Sequence, residues 1–284
     1  MDANTLLASP ASAVSVPPAP EPAASAPLLL SPTRNSEGLF QFQIEGLGGA
    51  EFEVLTSANL KTWSSLGRAT AARGATTTYV DAQSGAPLLR FYRIVGPGNK
   101  ISRNTLGFAR VRFPQGFSLL ANPFKTVDDK VSSMFPSMPE GTALCKFDLT
   151  THRLGKNNFR QGCWSDPAQT LITGEGAIFH NPGFDVDVLE FAGEVQQGDF
   201  VSSVASGFSI RSSLIPIAGR LDGDLGFPFA PGDVIHTFDG QLQKYVTHRF
   251  GATAWEDQPP TVGVGEAFWV GKGKPALWFQ HTPT

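Results

Sequence analysis

The feature that most constrains the fold of this chain is an internal repeat with a period of 91 residues. Gly116-Phe117-Ser118 recurs as Gly207-Phe208-Ser209, and residues 116–175 match residues 207–266 at 12 of 60 ungapped positions. The other identities are Gly141/Gly232, Phe147/Phe238, Asp148/Asp239, Phe159/Phe250, Trp164/Trp255, Asp166/Asp257, Thr170/Thr261, Gly174/Gly265 and Glu175/Glu266. Because glycines and acidic residues fix turns and aromatic residues fix packing, the sequence predicts two copies of one structural unit.

Composition and periodicity predict the fold class. The 284 residues include 30 Gly and 22 Pro, which argues against a mainly helical protein. Short segments alternate apolar and polar residues, as residues 40–45 do, and this is typical of strands with one buried face. We therefore predict an all-β fold, in which an extended Pro/Ala-rich arm (1–37) precedes a small β-sandwich-like domain (38–98). A duplicated, pseudo-symmetric β-sandwich unit follows, with copies at 99–196 and 197–284.

The charge balance and the apolar runs exclude several classes of function. The 22 Lys and Arg residues against 25 Asp and Glu give a net charge of −3, and no basic stripe is present. Nucleic acid is therefore not an expected partner. The longest apolar runs have only a few residues, so no membrane-spanning helix is expected.

Two interpretations are open for the Pro/Ala-rich arm, whose residues 8–33 carry one charge, Glu21. Proline lacks an amide proton and fixes φ, so neither a helix nor a central strand can run through this segment. The arm is either an extended linker or a docking arm. In the second case residues 12–16, with Val14 and Val16 on one face, add a strand to an open sheet edge of a neighbouring subunit.

Several stretches of the chain resemble modules of large bacterial surface and secreted proteins of the Verrucomicrobia and Planctomycetes type. In the small domain these are Thr56-Ser57-x-Asn59-Leu60-x-x-Trp63 and Arg90-Phe91-Tyr92-Arg93. In the duplicated half they are residues 116–122, 146–167 and 174–183. The resemblance implies an extracellular or cell-surface β-protein and supplies no catalytic residues. The chain departs from it in its two cysteines and in having no recognisable secretion signal, so we expect a mature form.

Cys145 and Cys163 are the only cysteines. Residue 154, midway between them, falls in a predicted hairpin turn, so we expect the two cysteines to face each other across the hairpin. Opposed residues of antiparallel strands lie within the Cα separation that a disulfide needs. The alternatives are a disulfide, if the protein is exported, and two buried free thiols. The equivalent residues of the second copy, His236 and Ala254, cannot form a bridge.

No motif predicts a cofactor or a metal site. The five histidines form no HExxH or HxH pattern, and neither a phosphate-binding glycine loop nor a serine elbow is present. The segments at 185–187 and 222–224 each place two aspartates on one face of an extended chain. Neither segment continues into a calcium-binding loop, so turn capping is the favoured interpretation.

The repeated acids could be paired as the carboxylates of a glycoside hydrolase. Asp166 and Asp257 are equivalent, as are Glu175 and Glu266, and each acid follows a repeated tryptophan. A glycosidase needs two carboxyl groups in unequal environments. Duplication instead favours equivalent structural roles in the two copies.

These observations favour a non-enzymatic function. We expect a structural or adhesive protein of the bacterial cell exterior, self-assembling as a filament subunit through strand addition by its arm. Its expected partners are further copies of itself or other envelope proteins. The alternative is a carbohydrate-binding accessory module that binds polysaccharide on an exposed Trp269 or Trp278 in the final strands. A glycoside hydrolase is the third possibility.

Overall fold

The computed structural model of the protein describes residues 26–72, 76–183 and 188–283. Val14, Val16 and the aspartate pair at 185–187 lie outside these ranges. The described residues form an all-β fold of antiparallel sheets, which confirms the predicted fold class. The strands before the repeat are β1 (Leu28–Arg34), β2 (Phe40–Glu45), β3 (Glu51–Ser57), β4 (Ser64–Thr70), β5 (Thr77–Asp81), β6 (Leu89–Gly96) and β7 (Lys100–Ile101), with a 3-10 turn at Pro97–Asn99.

The two copies contain the remaining elements. The first has β8 (Thr105–Arg112), β9 (Gly116–Leu120), α1 (Val131–Met134), β10 (Ala143–Asp148), β11 (Arg153–Arg160), β12 (Cys163–Trp164), β13 (Ala177–Asn181) and β14 (Val188–Val195). The second has β15 (Asp199–Val204), β16 (Gly207–Arg211), β17 (Gly219–Arg220), β18 (Val234–Asp239), β19 (Lys244–Arg249), β20 (Thr261–Val262), β21 (Phe268–Lys272) and β22 (Ala276–His281).

The N-terminal part of the chain is a sandwich of two sheets. A three-stranded sheet in the order β1-β2-β5 packs on a sheet in the order β14-β8-β6-β3-β4, in which β7 also pairs with β6. Alternate residues of β2 point inward, so Phe40 and Phe42 are fully buried. Phe40 stacks on Tyr92 of β6, with 5.1 Å between the ring centroids.

Strand pairing crosses two of the boundaries that the sequence predicts. The arm was expected to extend to residue 37, but β1 is a strand of the sandwich and its Leu29 is buried. The small domain was expected to end at residue 98, but β8 of the first copy pairs with β6, and β14 pairs with β8. The reason is that β8 is apolar on both faces. Leu106 and Phe108 enter the sandwich core, whereas Ala109 enters the core of the first copy.

Each copy of the repeat packs a larger sheet on a pair of strands that flanks it in the sequence. In the first copy the sheet β12-β11-β10-β13-β9 packs on β8 and β14, with Phe179 and Phe191 in the core. In the second copy the sheet β16-β21-β18-β19 packs on β15 and β22, with Val270 and Trp278 in the core. We call the strand pairs β8–β14 and β15–β22 the first and second ribbons.

The two copies meet around a pseudo-twofold axis. Leu120 forms an isolated bridge with Glu266, and the equivalent residues Arg211 and Glu175 form the reciprocal bridge. Reciprocal contacts of this kind define an isologous interface. The small core between the larger sheets is likewise made of equivalent pairs: Leu119/Ile210, Phe147/Phe238 and Ile178/Trp269.

The repeated Gly174 and Gly265 carry the hydrogen bonds across this axis. Gly265 accepts one from the amide of Ala121 at 2.8 Å, and Gly174 accepts one from the amide of Ser212 at 3.1 Å. Both glycines have positive φ, 87° and 81°, a conformation that residues with a Cβ adopt at a cost. A Cβ at Gly174 would also lie 2.7 Å from Leu214. The backbone conformation therefore favours glycine at both positions where the copies pair.

Candidate interaction surface

The repeated glutamates and tryptophans make structural contacts in both copies. Glu175 and Glu266 each accept a hydrogen bond from the amide three residues earlier, at 3.1 and 2.8 Å. The indole of Trp164 donates to the carbonyl of Phe135 at 2.8 Å, and that of Trp255 donates to Asp222 at 2.9 Å. Within the described ranges, no group of three His, Cys, Asp or Glu residues is placed to hold a metal ion.

The repeated aspartates Asp148 and Asp239 cap the equivalent hairpin turns. Each accepts hydrogen bonds from the amides two and three residues later, at 2.8 and 2.8 Å for Asp148 and at 2.9 and 2.8 Å for Asp239. The bonds from Thr151 and Thr150 lower the pKa of Asp148. These carboxylates therefore hold turns, as duplication predicts.

The aspartates of the 222–224 segment also have partners within the fold. Asp222 forms an ion pair with Arg220 at 2.9 Å, and Asp224 accepts a hydrogen bond from the amide of Arg220 at 2.9 Å. Burial raises the pKa of Asp222, but the hydrogen bonds from Arg220 and Trp255 outweigh it and lower the pKa. The segment is a capped turn, in agreement with the favoured interpretation.

The predicted opposition of Cys145 and Cys163 is wrong, and both are free cysteines. The hairpin turns at residues 149–152, where Asp148 caps it, so Cys145 lies opposite Lys156. Cys163 comes after a second turn and lies opposite Arg160. Cys163 is exposed. Burial raises the pKa of the Cys145 thiol, against the opposing effect of Lys156.

The expectation that Trp269 or Trp278 is an exposed sugar platform is also wrong. Trp278 is 1% exposed, and its indole donates to the carbonyl of Leu225 at 2.7 Å. Trp269 packs between the copies, with 5.1 Å between its ring centroid and that of Phe147. Side chains alternate between the two faces of β22. Because Trp278 points inward, its neighbours Leu277 and Phe279 point outward and are exposed in its place.

The first ribbon is covered along β8 and on its outer face. On the side away from β14, β8 pairs with β6 over four residue pairs, from Leu89↔Ala109 to Tyr92↔Leu106, and β14 ends the sheet. Its outer face, which includes Leu106 and Phe108, is buried under the sandwich core. The N-terminal part of the chain thus supplies both a strand and an apolar cover to this ribbon.

The second ribbon has neither cover within the part of the chain that the structure describes. β15 pairs with β22 on one side, and no described strand pairs with its other edge. The outer face presents Val201, Leu277 and Phe279, which are 55%, 53% and 65% exposed. Val201 and Phe279 are direct cross-strand neighbours. The second ribbon is therefore an uncovered version of a surface that the first copy buries.

The β15 edge also lacks the features that usually prevent strand pairing. Edge strands are commonly protected by lysine or arginine, by proline or by a bulge. β4 carries Arg68, β19 carries Lys244 and Arg249, and β1 has Pro32 with a break in register between Leu30 and Thr33. β15 has a regular register and one charged residue, Asp199.

A groove of about 820 Å³ lies between β1 and β14. Its Glu190 is paired with Arg34 and with Arg110, whose Nε lies 3.0 Å from the carboxylate. The break in register of β1 removes a regular edge from the opposite wall. The groove therefore carries no feature that identifies a ligand.

Sequence reasoning missed the second ribbon. The signal was the contiguous apolar run from Leu277 to Phe279, which leaves a two-residue period undefined and gives a strand two apolar faces. The comparisons add no further constraint, because searches of protein-family models, curated proteins and solved structures found no match to this chain. No helix among the described residues is long and apolar enough to cross a membrane.

Proposed function

We propose that this protein is a non-enzymatic structural or adhesive component of the bacterial cell exterior, and that copies of it assemble through the second ribbon. The single observation that carries the proposal is the difference between the ribbons. The first ribbon has its β8 side paired with β6 and its outer face buried under strands of the same chain. In the second ribbon no described strand pairs with the outer edge of β15, and three apolar side chains are exposed.

The chemistry of the second ribbon favours a protein strand as its partner. An open edge offers a row of amide and carbonyl groups to an incoming strand, and main-chain hydrogen bonds then provide affinity. The exposed Val201, Leu277 and Phe279 add apolar area that is covered on association. Location at the cell exterior is supported by the resemblance to bacterial surface modules.

The test is the assembly state of the full chain with and without charge on the ribbon. A Val201→Lys/Phe279→Lys variant places two charges on the outer face without altering the core. Leu242→Lys is the control, because it adds a charge at an exposed leucine (62%) at the tip of the β18–β19 hairpin, outside the ribbon.

Size-exclusion chromatography with light scattering, over a concentration series, and negative-stain imaging provide the readout. We expect the natural sequence and the Leu242→Lys control to assemble, and the ribbon variant to remain monomeric with an unchanged circular dichroism spectrum. A natural chain that is monomeric throughout the series would contradict the proposal, as would a ribbon variant that assembles normally.

A further inference from the structure

We propose that the strand that occupies the β15 edge is the N-terminal segment of a second copy, with residues 12–16 running along β15. This inference rests on the proposed function and names its partner. The docking arm expected from the sequence would thus bind at the outer edge of β15. The arm of each copy would then bind the second ribbon of the next copy.

The described chain begins close to the second ribbon. The carbonyl of Pro27 accepts a hydrogen bond from the amide of Arg103 at 2.8 Å, and the amide of Leu29 donates to the side chain of Asn104 at 2.9 Å. The next residue, Thr105, is hydrogen-bonded to Gln197, two residues before β15. The arm therefore leaves the fold beside the junction of the two ribbons.

The arm is also long enough to reach a neighbouring molecule. Twenty-five residues precede the described chain, and fully extended they span about 80 Å. β15 has six residues, or about 20 Å of strand. The arm is long enough to reach β15 of a neighbouring molecule and pair along its whole length.

The side chains of residues 12–16 are compatible with those of the second ribbon. In an extended residue 12–16 segment, Val14 and Val16 share one face and Ala13 and Ser15 share the other. The two valines can extend the apolar row that Val201 begins on the outer face of the ribbon. Residues 8–20 carry no charge, so pairing beside β15 brings no like charges together.

The spacer between residues 12–16 and the described chain favours pairing with a second copy. Residues 17–26 hold four prolines, Pro17, Pro18, Pro20 and Pro22, and Pro27 follows. Such a composition favours an extended, stiff spacer of about 3.1 Å per residue. Ten residues at that rise cover about 30 Å, which is longer than β15, so the spacer is long enough to bring residues 12–16 to the β15 edge of a neighbouring molecule.

The experiment is a complementation test with full-length chains. One variant, Val14→Lys/Val16→Lys, has a charged arm and an intact ribbon. The other, Val201→Lys/Phe279→Lys, has an intact arm and a charged ribbon. Ala23→Lys/Ser25→Lys is the matched control, because it puts two charges of the same spacing on the arm outside residues 12–16.

We expect neither variant to assemble alone, the control to assemble normally, and a 1:1 mixture of the two variants to form a dimer that does not grow. The dimer forms because one chain contributes the arm and the other the edge. Light scattering measures the mass, and a fluorescent peptide of residues 8–20 should bind the ribbon variant at least tenfold more weakly than the charged-arm variant.

The outcomes separate this inference from the proposed function. If the charged-arm variant assembles like the natural chain, the arm is not the partner, although assembly through the ribbon survives as a proposal. If the two variants fail alone and also fail when mixed, pairing between copies by the arm is refuted. If the charged-ribbon variant assembles normally, the proposed function itself fails.

Discussion

The pseudo-twofold axis leads to a quantitative prediction at Gly176 and its equivalent, Ala267. A Cβ built on Gly176 would lie 2.5 Å from the Cβ of Ala267 and 2.4 Å from Cγ2 of Ile210. A methyl group added at Gly176 would therefore overlap both Ala267 and Ile210 at the axis. Gly176→Ala should lower the free energy of unfolding, because overpacking a buried site costs about 1–3 kcal/mol.

The entropy of the unfolded chain offsets part of this loss. Replacing Gly by Ala where φ is compatible stabilises a protein by about 0.4–1 kcal/mol, so we expect a net loss of about 1–2 kcal/mol. Urea unfolding followed by tryptophan fluorescence measures the change. Gly85→Ala is the control, because its added Cβ meets no atom within 4 Å, and we expect it to raise the free energy of unfolding by about 0.4–1 kcal/mol.

The refuting result comes from a double-mutant cycle. Ala267→Gly, introduced beside Gly176→Ala, removes the methyl across the axis and leaves only the contact with the branched Cβ and Cγ2 of Ile210. We expect the double variant to be more stable than the sum of the two single changes predicts, by about 0.5 kcal/mol or more. Strict additivity would show that the two positions do not meet, and the pseudo-twofold packing would be wrong.

Three further predictions concern the second copy and the free thiols. Trp278→Ala should cost about 3–5 kcal/mol of stability in urea unfolding, since Trp278 fills the core of the second copy; an unchanged midpoint would contradict its burial. Lys272→Met should cost about 3–5 kcal/mol, because it leaves the buried carboxylate of Asp233 without its cation, and Lys272→Met/Asp233→Asn should be more stable than Lys272→Met alone. Iodoacetamide, without reductant, should alkylate exposed Cys163 first. Since burial raises the pKa of Cys145, its thiolate fraction near pH 7.5 is lower and its rate should keep increasing above pH about 8.5; a mass spectrum with neither cysteine alkylated would refute free thiols.

Several elements of the fold could be predicted from the sequence because their signals are local. The strict alternation in residues 40–45 fixes which side chains of β2 are buried. The repeated Gly174/Gly265 and Asp148/Asp239 mark backbone conformations that few other residues adopt or cap, so their recurrence reveals two copies of one unit. The structural role of the repeated acids follows from the same duplication.

The cysteine pairing could not be predicted with the same success, because strand register depends on where a turn closes. The hairpin closes around residues 149–152, so Cys145 lies opposite Lys156 and the expected bridge is absent. A shift of three or four residues in a turn is small in the sequence, but it changes every cross-strand neighbour.

The amino-acid sequence by itself determined the all-β class, the duplication and the glycine and aspartate positions at turns, since each depends on the period of a pattern or on the backbone preference of a single residue. Only the tertiary structure decided that β1 and the first ribbon belong to the N-terminal sandwich, and which face of β22 is buried. Leu277, Trp278 and Phe279 are all apolar, so no period assigns their faces. Burial there depends on what packs against each copy, and the N-terminal sandwich covers the first ribbon but not the second.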